Sequence, residues 1–199
     1  MKSMRIVSAA LALVALAVSP VLAQDAAQQA AKKAAGPQVM KTFNGWDVRC
    51  FPVSTPAPCD VWEAIAFKKG GNLAVSVSVV YVPSQNRHLM QFIVPLGVDV
   101  QKGAKLIAGT TTSDMLPFHH CDRVGCYFGV SDGNALVNAM NSQQVLKVQV
   151  SQFRGKAIDL SVPLKGFAEA HTAMVQFATQ RAAKPQASAA APDAPASNP

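Results

Sequence analysis

Leu73-Ala74-Val75-Ser76-Val77-Ser78-Val79-Val80-Tyr81 alternates with a period of two. Leu73, Val75, Val77, Val79 and Tyr81 share one face and Ser76 and Ser78 the other, the mark of a strand buried on one side. Upstream, Trp46, Val48 and Cys50 alternate with Asp47 and Arg49, and downstream Met90, Phe92 and Val94 repeat the pattern before Pro95 and Gly97 interrupt it. Leu146, Val148 and Val150 alternate with Lys147 and Gln149, and Ile158, Leu160 and Val162 with Asp159 and Ser161. Shorter segments at 61–67, 104–108 and 126–130 bring the total to about eight strands, divided by turn chemistry such as Gly70-Gly71-Asn72 and Arg154-Gly155. Strands with one apolar face predict a mainly β fold of two sheets packed face to face. Two helices are expected among them. A short one, capped by Ser131 or Asp132, carries Ala135, Leu136, Ala139 and Met140 on one face. A C-terminal amphipathic one starts near Gly166 and sets Phe167, Ala170, His171, Met174, Phe177 and Ala178 at helical spacing.

The chain has 199 residues, 50% of them apolar and 15% charged, which fits one domain of ordinary size with appendages. It is too apolar to be wholly disordered and too poor in cysteine to be a small disulfide scaffold. Lys2 and Arg5 precede an apolar run from Ile6 to Val18, Pro20 ends it, and Val21-Leu22-Ala23 offers a cleavage site. Residues 1–23 therefore read as a signal peptide, because the run is shorter than the about 20 apolar residues that span a bilayer. Gln24 stands where a lipoprotein anchor would need cysteine. The expected location is the periplasm, with outer-membrane association or secretion as extensions, and no stable membrane insertion after cleavage. Residues 24–38 read as a flexible lead-in and 184–199, with four prolines and six alanines, as a disordered tail. The domain is expected over 39–183. Its net charge is +4, from 13 basic and 9 acidic residues, against +7 for the whole chain. The basic residues are scattered rather than gathered in a stripe with aromatics, which argues against nucleic acid as a partner.

Four cysteines in an oxidising compartment imply disulfides, with three possible connectivities. Cys50–Cys59 and Cys121–Cys126 are favoured because each pair flanks a turn-rich link, the first holding Pro52, Pro56 and Pro58 and the second Asp122 and Gly125. Loop closure gives about 2.7 kcal/mol for the first bridge and about 2.2 for the second. The competing reading is a metal or redox site using His119, His120 and Met115 with the cysteines, and His88 as a further donor. It is disfavoured because adjacent histidines on an extended segment point to opposite faces, and neither C-x-x-C nor H-x-x-x-H occurs. G-x-S-x-G, H-E-x-x-H and a glycine-rich phosphate loop are also missing. Glu63 and Glu169 are the chain's two glutamates. No catalytic residue and no cofactor are expected. His171 reads as a satisfied core or boundary histidine, and Asp47 with Arg49 as a solvated ion pair.

Several stretches together resemble the invasion-associated locus B family of bacterial exported proteins. They are Phe43-Asn44-Gly45-Trp46-Asp47-Val48-Arg49-Cys50 with Cys59 beyond, then Val94-Pro95-Leu96-Gly97-Val98 with Gly103. Pro117-Phe118 precedes Cys121 and Cys126, Ala135-Leu136 follows, and Val162-Pro163-Leu164-Lys165-Gly166-Phe167 leads into the last helix. The resemblance implies an immunoglobulin-like β-sandwich with two short-range disulfides. It also implies an exported, non-enzymatic protein linked in pathogenic relatives to host-cell entry. Asp60-Val61-Trp62-Glu63-Ala64 departs from the family's polar, Gln-containing strand. The expected contact features are Pro56 in the first disulfide loop with Trp62 nearby, and His119, His120 and Arg123 in the second hairpin. The expected partner is an envelope or host protein.

Overall fold

The computed structural model describes residues 36–183 apart from 53, 54 and 69. The signal peptide, residues 24–35 of the lead-in and the tail over 184–199 lie outside the described residues.

Among the described residues eleven strands form two sheets. The first holds β1 (Gln38–Phe43), β2 (Trp46–Cys50), β3 (Cys59–Ala66), β4 (Leu73–Val82), β5 (Arg87–Val94), β8 (Phe118–Cys121) and β9 (Cys126–Val130), in the order β1-β2-β3-β4-β5-β9-β8. The second holds β6 (Ala104–Ala108), β7 (Thr111–Thr112), β10 (Val145–Ser151) and β11 (Ala157–Pro163), in the order β11-β10-β6-β7. Helix α1 spans Asn134–Met140 and helix α2 spans Phe167–Ala183. The fold is mainly β, a sandwich with a C-terminal helix.

The period-two residues supply the core, as their alternation requires. Val48, Val61, Val77, Val79, Phe92 and Phe128 from the larger sheet are fully buried, as are Leu106, Leu146, Val148 and Val162 from the smaller one. Phe92 stacks on Phe128 at 5.0 Å between ring centres, and Phe118 meets Phe128 edge-on at 5.5 Å. Helix α2 lies against β1, β2, β3 and β4. Its Phe167 meets Trp46 edge-on at 4.9 Å, and the Trp46 indole N–H donates to the Pro163 carbonyl at 3.2 Å. Gly166 makes this junction possible. It sits at φ +88°, and a Cβ there would fall 2.5 Å from the Phe43 carbonyl oxygen, so L side chains are excluded twice over.

Three strands lie beyond the about eight expected from the sequence. β1, β7 and β8 are edge strands or short pairings whose residues are mostly exposed, so no buried face imprints a period on them. Helix α1 buries Leu136, Val137 and Met140 while Ala135 is exposed, so its inward face is rotated from the expected one. Gly133 occupies the cap, and Asp132 Oδ1 accepts the Asn134 backbone N–H at 3.4 Å.

Candidate functional site

Because β4 turns Val75, Val77 and Val79 inward, Ser76, Ser78 and Val80 face away from the smaller sheet and α2. Strand register extends this outer face in rows. Asp47, Trp62, Ser78, Gln91 and Gly129 stand side by side across β2, β3, β4, β5 and β9. One row holds Arg49, Asp60, Val80 and Leu89, and another Ala64, Ser76, Ile93, Tyr127 and His120. Two hollows open on this face. One of about 370 Å³ has Val80 and Leu89 among its lining, with His119, His120 and Tyr127 beside them. The other, of about 210 Å³, is lined by Arg49, Asp60 and Trp62 among others. Ser78 and Gln91 line both, so the hollows adjoin.

The charges of the smaller hollow are neutralised internally. The Arg49 guanidinium donates from Nε to Asp60 Oδ1 at 3.0 Å and from Nη2 to Oδ2, and it lies 4.5 Å above the Trp62 ring. The Ser78 hydroxyl donates to Asp60 Oδ2 at 2.8 Å, and Asp60 is 1% exposed. Arg49 thus pairs with Asp60 and not with Asp47. The reason is register. Asp60 is its direct cross-strand neighbour, closer than any residue two along its own strand. Asp47 instead accepts the Thr42 hydroxyl at 2.6 Å.

The β8–β9 hairpin builds the other end. A β-bulge between Phe118 and His120 breaks the alternation of β8, so both histidines line the groove, contrary to the opposite faces expected of an unbroken strand. His120 stacks on Tyr127 at 4.4 Å. Gly129 lies beside His119. A Cβ on it would be 2.8 Å from the Met90 carbonyl oxygen and 3.7 Å from His119 Cε1. Asp122 ties the turn, accepting the backbone N–H groups of Val124 and Gly125 at 2.8 and 3.2 Å and the Tyr127 hydroxyl at 3.2 Å. The Val124 N–H is the chief cause holding the Asp122 carboxyl below the ordinary range. Burial, with Asp122 beside it, pushes the Tyr127 phenol up.

The structure bridges Cys50 to Cys59 and Cys121 to Cys126. It brings Trp62, His119 and His120 onto one face. Pro56, in the first disulfide loop, and Arg123, at the hairpin tip, are exposed and line neither hollow. The metal-ligand set is dispersed. Met115 lines a separate depression with Lys102 and Lys105, His88 meets His171 inside the fold, and all four sulfurs are in disulfides. Among the described residues no three His, Cys, Asp or Glu side chains are grouped to hold a metal ion. Asp60, Ser78, Gln91 and Tyr127 are the site residues that sequence reasoning missed. Their signal was parity, since each falls on the polar side of its strand opposite the apolar set.

The groove can present flat rings, paired donors and acceptors and an apolar floor to a ligand. The profile of the invasion associated locus B (IalB) protein family matches residues 46–175. The crystal structure of invasion associated protein b from Bartonella henselae shares the fold, with a TM-score of 0.62 at 19% identity, over 70% of this chain and 98% of that one. No curated protein matches the chain. The match from Trp46 to Val175 takes in ten of the eleven strands, α1 and half of α2, and the chain belongs to the invasion associated locus B family.

Proposed function

We propose that this is an exported, non-enzymatic envelope protein acting as an interaction module, which docks a protein of the bacterial envelope or a host surface on the outer face of its larger sheet. One observation carries the reading. A face that is uncovered among the described residues gathers Trp62, Gln91, Tyr127, His119 and His120 around two adjoining hollows. Aromatic side chains over an apolar floor with a polar rim are what buried anchors of a partner protein need. Two disulfides fit folding outside the reducing cytoplasm. Among the described residues no helix is long and apolar enough to cross a membrane.

Affinity capture from envelope and host-surface fractions tests the reading, using wild type, Gln91→Arg at the centre of the groove and Lys156→Glu in the distant β10–β11 turn. The expected result is a partner retained by wild type and Lys156→Glu and bound at least tenfold less by Gln91→Arg. A partner held equally by all three, or none from any fraction, would overturn it.

A further inference from the structure

Away from the groove, two half-buried imidazoles meet. His88 alternates with the outward Leu89 on β5 and so faces inward, and His171 comes from the second turn of α2. Their Nε2 atoms are 2.9 Å apart. Asn134 fixes one end of the contact. Its Oδ1 accepts the His88 backbone N–H at 3.0 Å and its Nδ2 donates to the Asn86 carbonyl at 3.1 Å, so Oδ1 is the atom 2.6 Å from His88 Nδ1. His88 Nδ1 therefore carries a hydrogen, and in the neutral ring Nε2 is an acceptor. His171 Nε2 must then donate to it. That leaves His171 Nδ1 as an acceptor, 3.3 Å from Asn141 Nδ2. With both rings neutral, every proton in the series Asn141, His171, His88, Asn134 is assigned by its neighbours.

Among the described residues the surroundings offer no counter-charge. From β4 comes the Tyr81 ring, 5.0 Å from that of His88, its hydroxyl bonded to Asn86 Oδ1. From α2 comes Phe167, stacked on His171 at 5.9 Å. From α1 come the neutral amides. Arg87 falls on the outer face of β5 by alternation, and Glu169, the acidic residue of α2, is exposed. Asp132 is occupied at the start of α1. Among the described residues none of the ion pairs involves a histidine.

We propose that the His88–His171 pair is an acid-sensitive latch: neutral imidazoles hold α2 against the larger sheet, and protonation of both rings releases it. One proton can be absorbed. With His88 as imidazolium, its Nε2–H donates to His171 Nε2 and the His171 hydrogen moves to Nδ1. Asn141 meets that hydrogen by turning its amide, and its Oδ1 is buried without a partner in the neutral arrangement. A second proton sets N–H against N–H and two like charges in one desolvated site. Burial first, and the neighbouring His88 second, already hold His171 down at about 4. The pair is thus a threshold device rather than a graded one. The released element is apolar on its inner side, where Phe167, Ala170, Met174 and Ala178 are buried. Opening would bare that stripe and the part of the sheet around Trp46 and Val48.

Hydrogen exchange on the full chain tests the latch, with α2 amides compared with β4 amides from about pH 6.5 down to about pH 3.8 after correction for intrinsic rates. The ratio of α2 to β4 exchange is expected to rise at least tenfold in wild type and in His119→Gln. It should stay flat in His171→Phe, whose ring takes no proton. Parallel opening of β4 and α2, or the same rise in His171→Phe, would overturn the proposal. Imidazole ¹⁵N shifts of wild type supply a readout that survives failure of that variant to fold. His88 protonated on Nδ1 and His171 on Nε2 are expected at pH 7, and any other pair of tautomers would also overturn it.

Discussion

Asp60 shows how a single side chain on this sheet is held. Its carboxylate is 1% exposed yet takes both arms of Arg49 and the Ser78 hydroxyl, so its lone pairs are met in a low-dielectric site. Removing one partner of such a pair costs more than the pair itself contributes, because the remaining charge loses its compensation. Asp60→Ala is expected to lower stability by about 3 kcal/mol. Arg49→Met combined with Asp60→Leu should recover most of that loss, read as the urea midpoint of each variant. Equal destabilisation of the single and the double variant would show that packing, rather than charge, holds this corner. None of this was legible from residue types. Asp47 and Asp60 are equally plausible partners for Arg49 until the β2–β3 register is known, and register depends on the length of the disulfide loop between them.

At the scale of elements, legibility followed burial. Five strands with an apolar inner face, β2, β4, β5, β10 and β11, announced themselves by alternation, and the inward stripe of α2 was readable from Phe167 to Ala178 for the same reason. β8 did not, because its histidines and Cys121 are exposed, and its bulge has no sequence period to betray it. The two disulfides, similar in spacing, are embedded differently. Cys50 and Cys59 are 1% and 0% exposed within the core, whereas Cys121 sits exposed at a hairpin. Loop closure alone assigns about 2.7 and about 2.2 kcal/mol. Cys50→Ala with Cys59→Ala also empties core volume, which adds to the loss. That double variant is expected to unfold at clearly lower urea than Cys121→Ala with Cys126→Ala. The second double variant should instead loosen β8 locally, raising exchange of the His119 and His120 amides while the β4 amides keep their protection. Indistinguishable midpoints for the two would contradict the burial argument.

For the whole molecule, two groups on different elements set opposite dependences of stability on pH. Glu63, on β3 near the β1–β2 turn, has a buried Oε2 without a partner. Burial, and then the Asp47 charge, raise its carboxyl from 4.5 to about 7. The native state therefore holds a proton that the unfolded chain has released, and stability falls as pH rises between those values. His171 works the other way. Its imidazole is lowered from 6.5 to about 4, the unfolded chain takes up the proton first, and stability falls as pH drops through that window. His171 is the more enclosed, with a contribution on the order of 2–3 kcal/mol. Glu63 is partly open to solvent, which reduces its share to about 1 kcal/mol. The two windows overlap from about pH 4.5 to about pH 6.5, so in wild type Glu63 offsets part of the gain from His171 and about 1 kcal/mol of net gain is expected across that range. Glu63→Gln is expected to steepen the gain and His171→Phe to reverse its sign, as read from urea midpoints at each pH. If all three proteins show the same slope, neither side chain controls it. If Glu63→Gln alone keeps the wild-type slope, the carboxyl is solvated and Oε2 has found water.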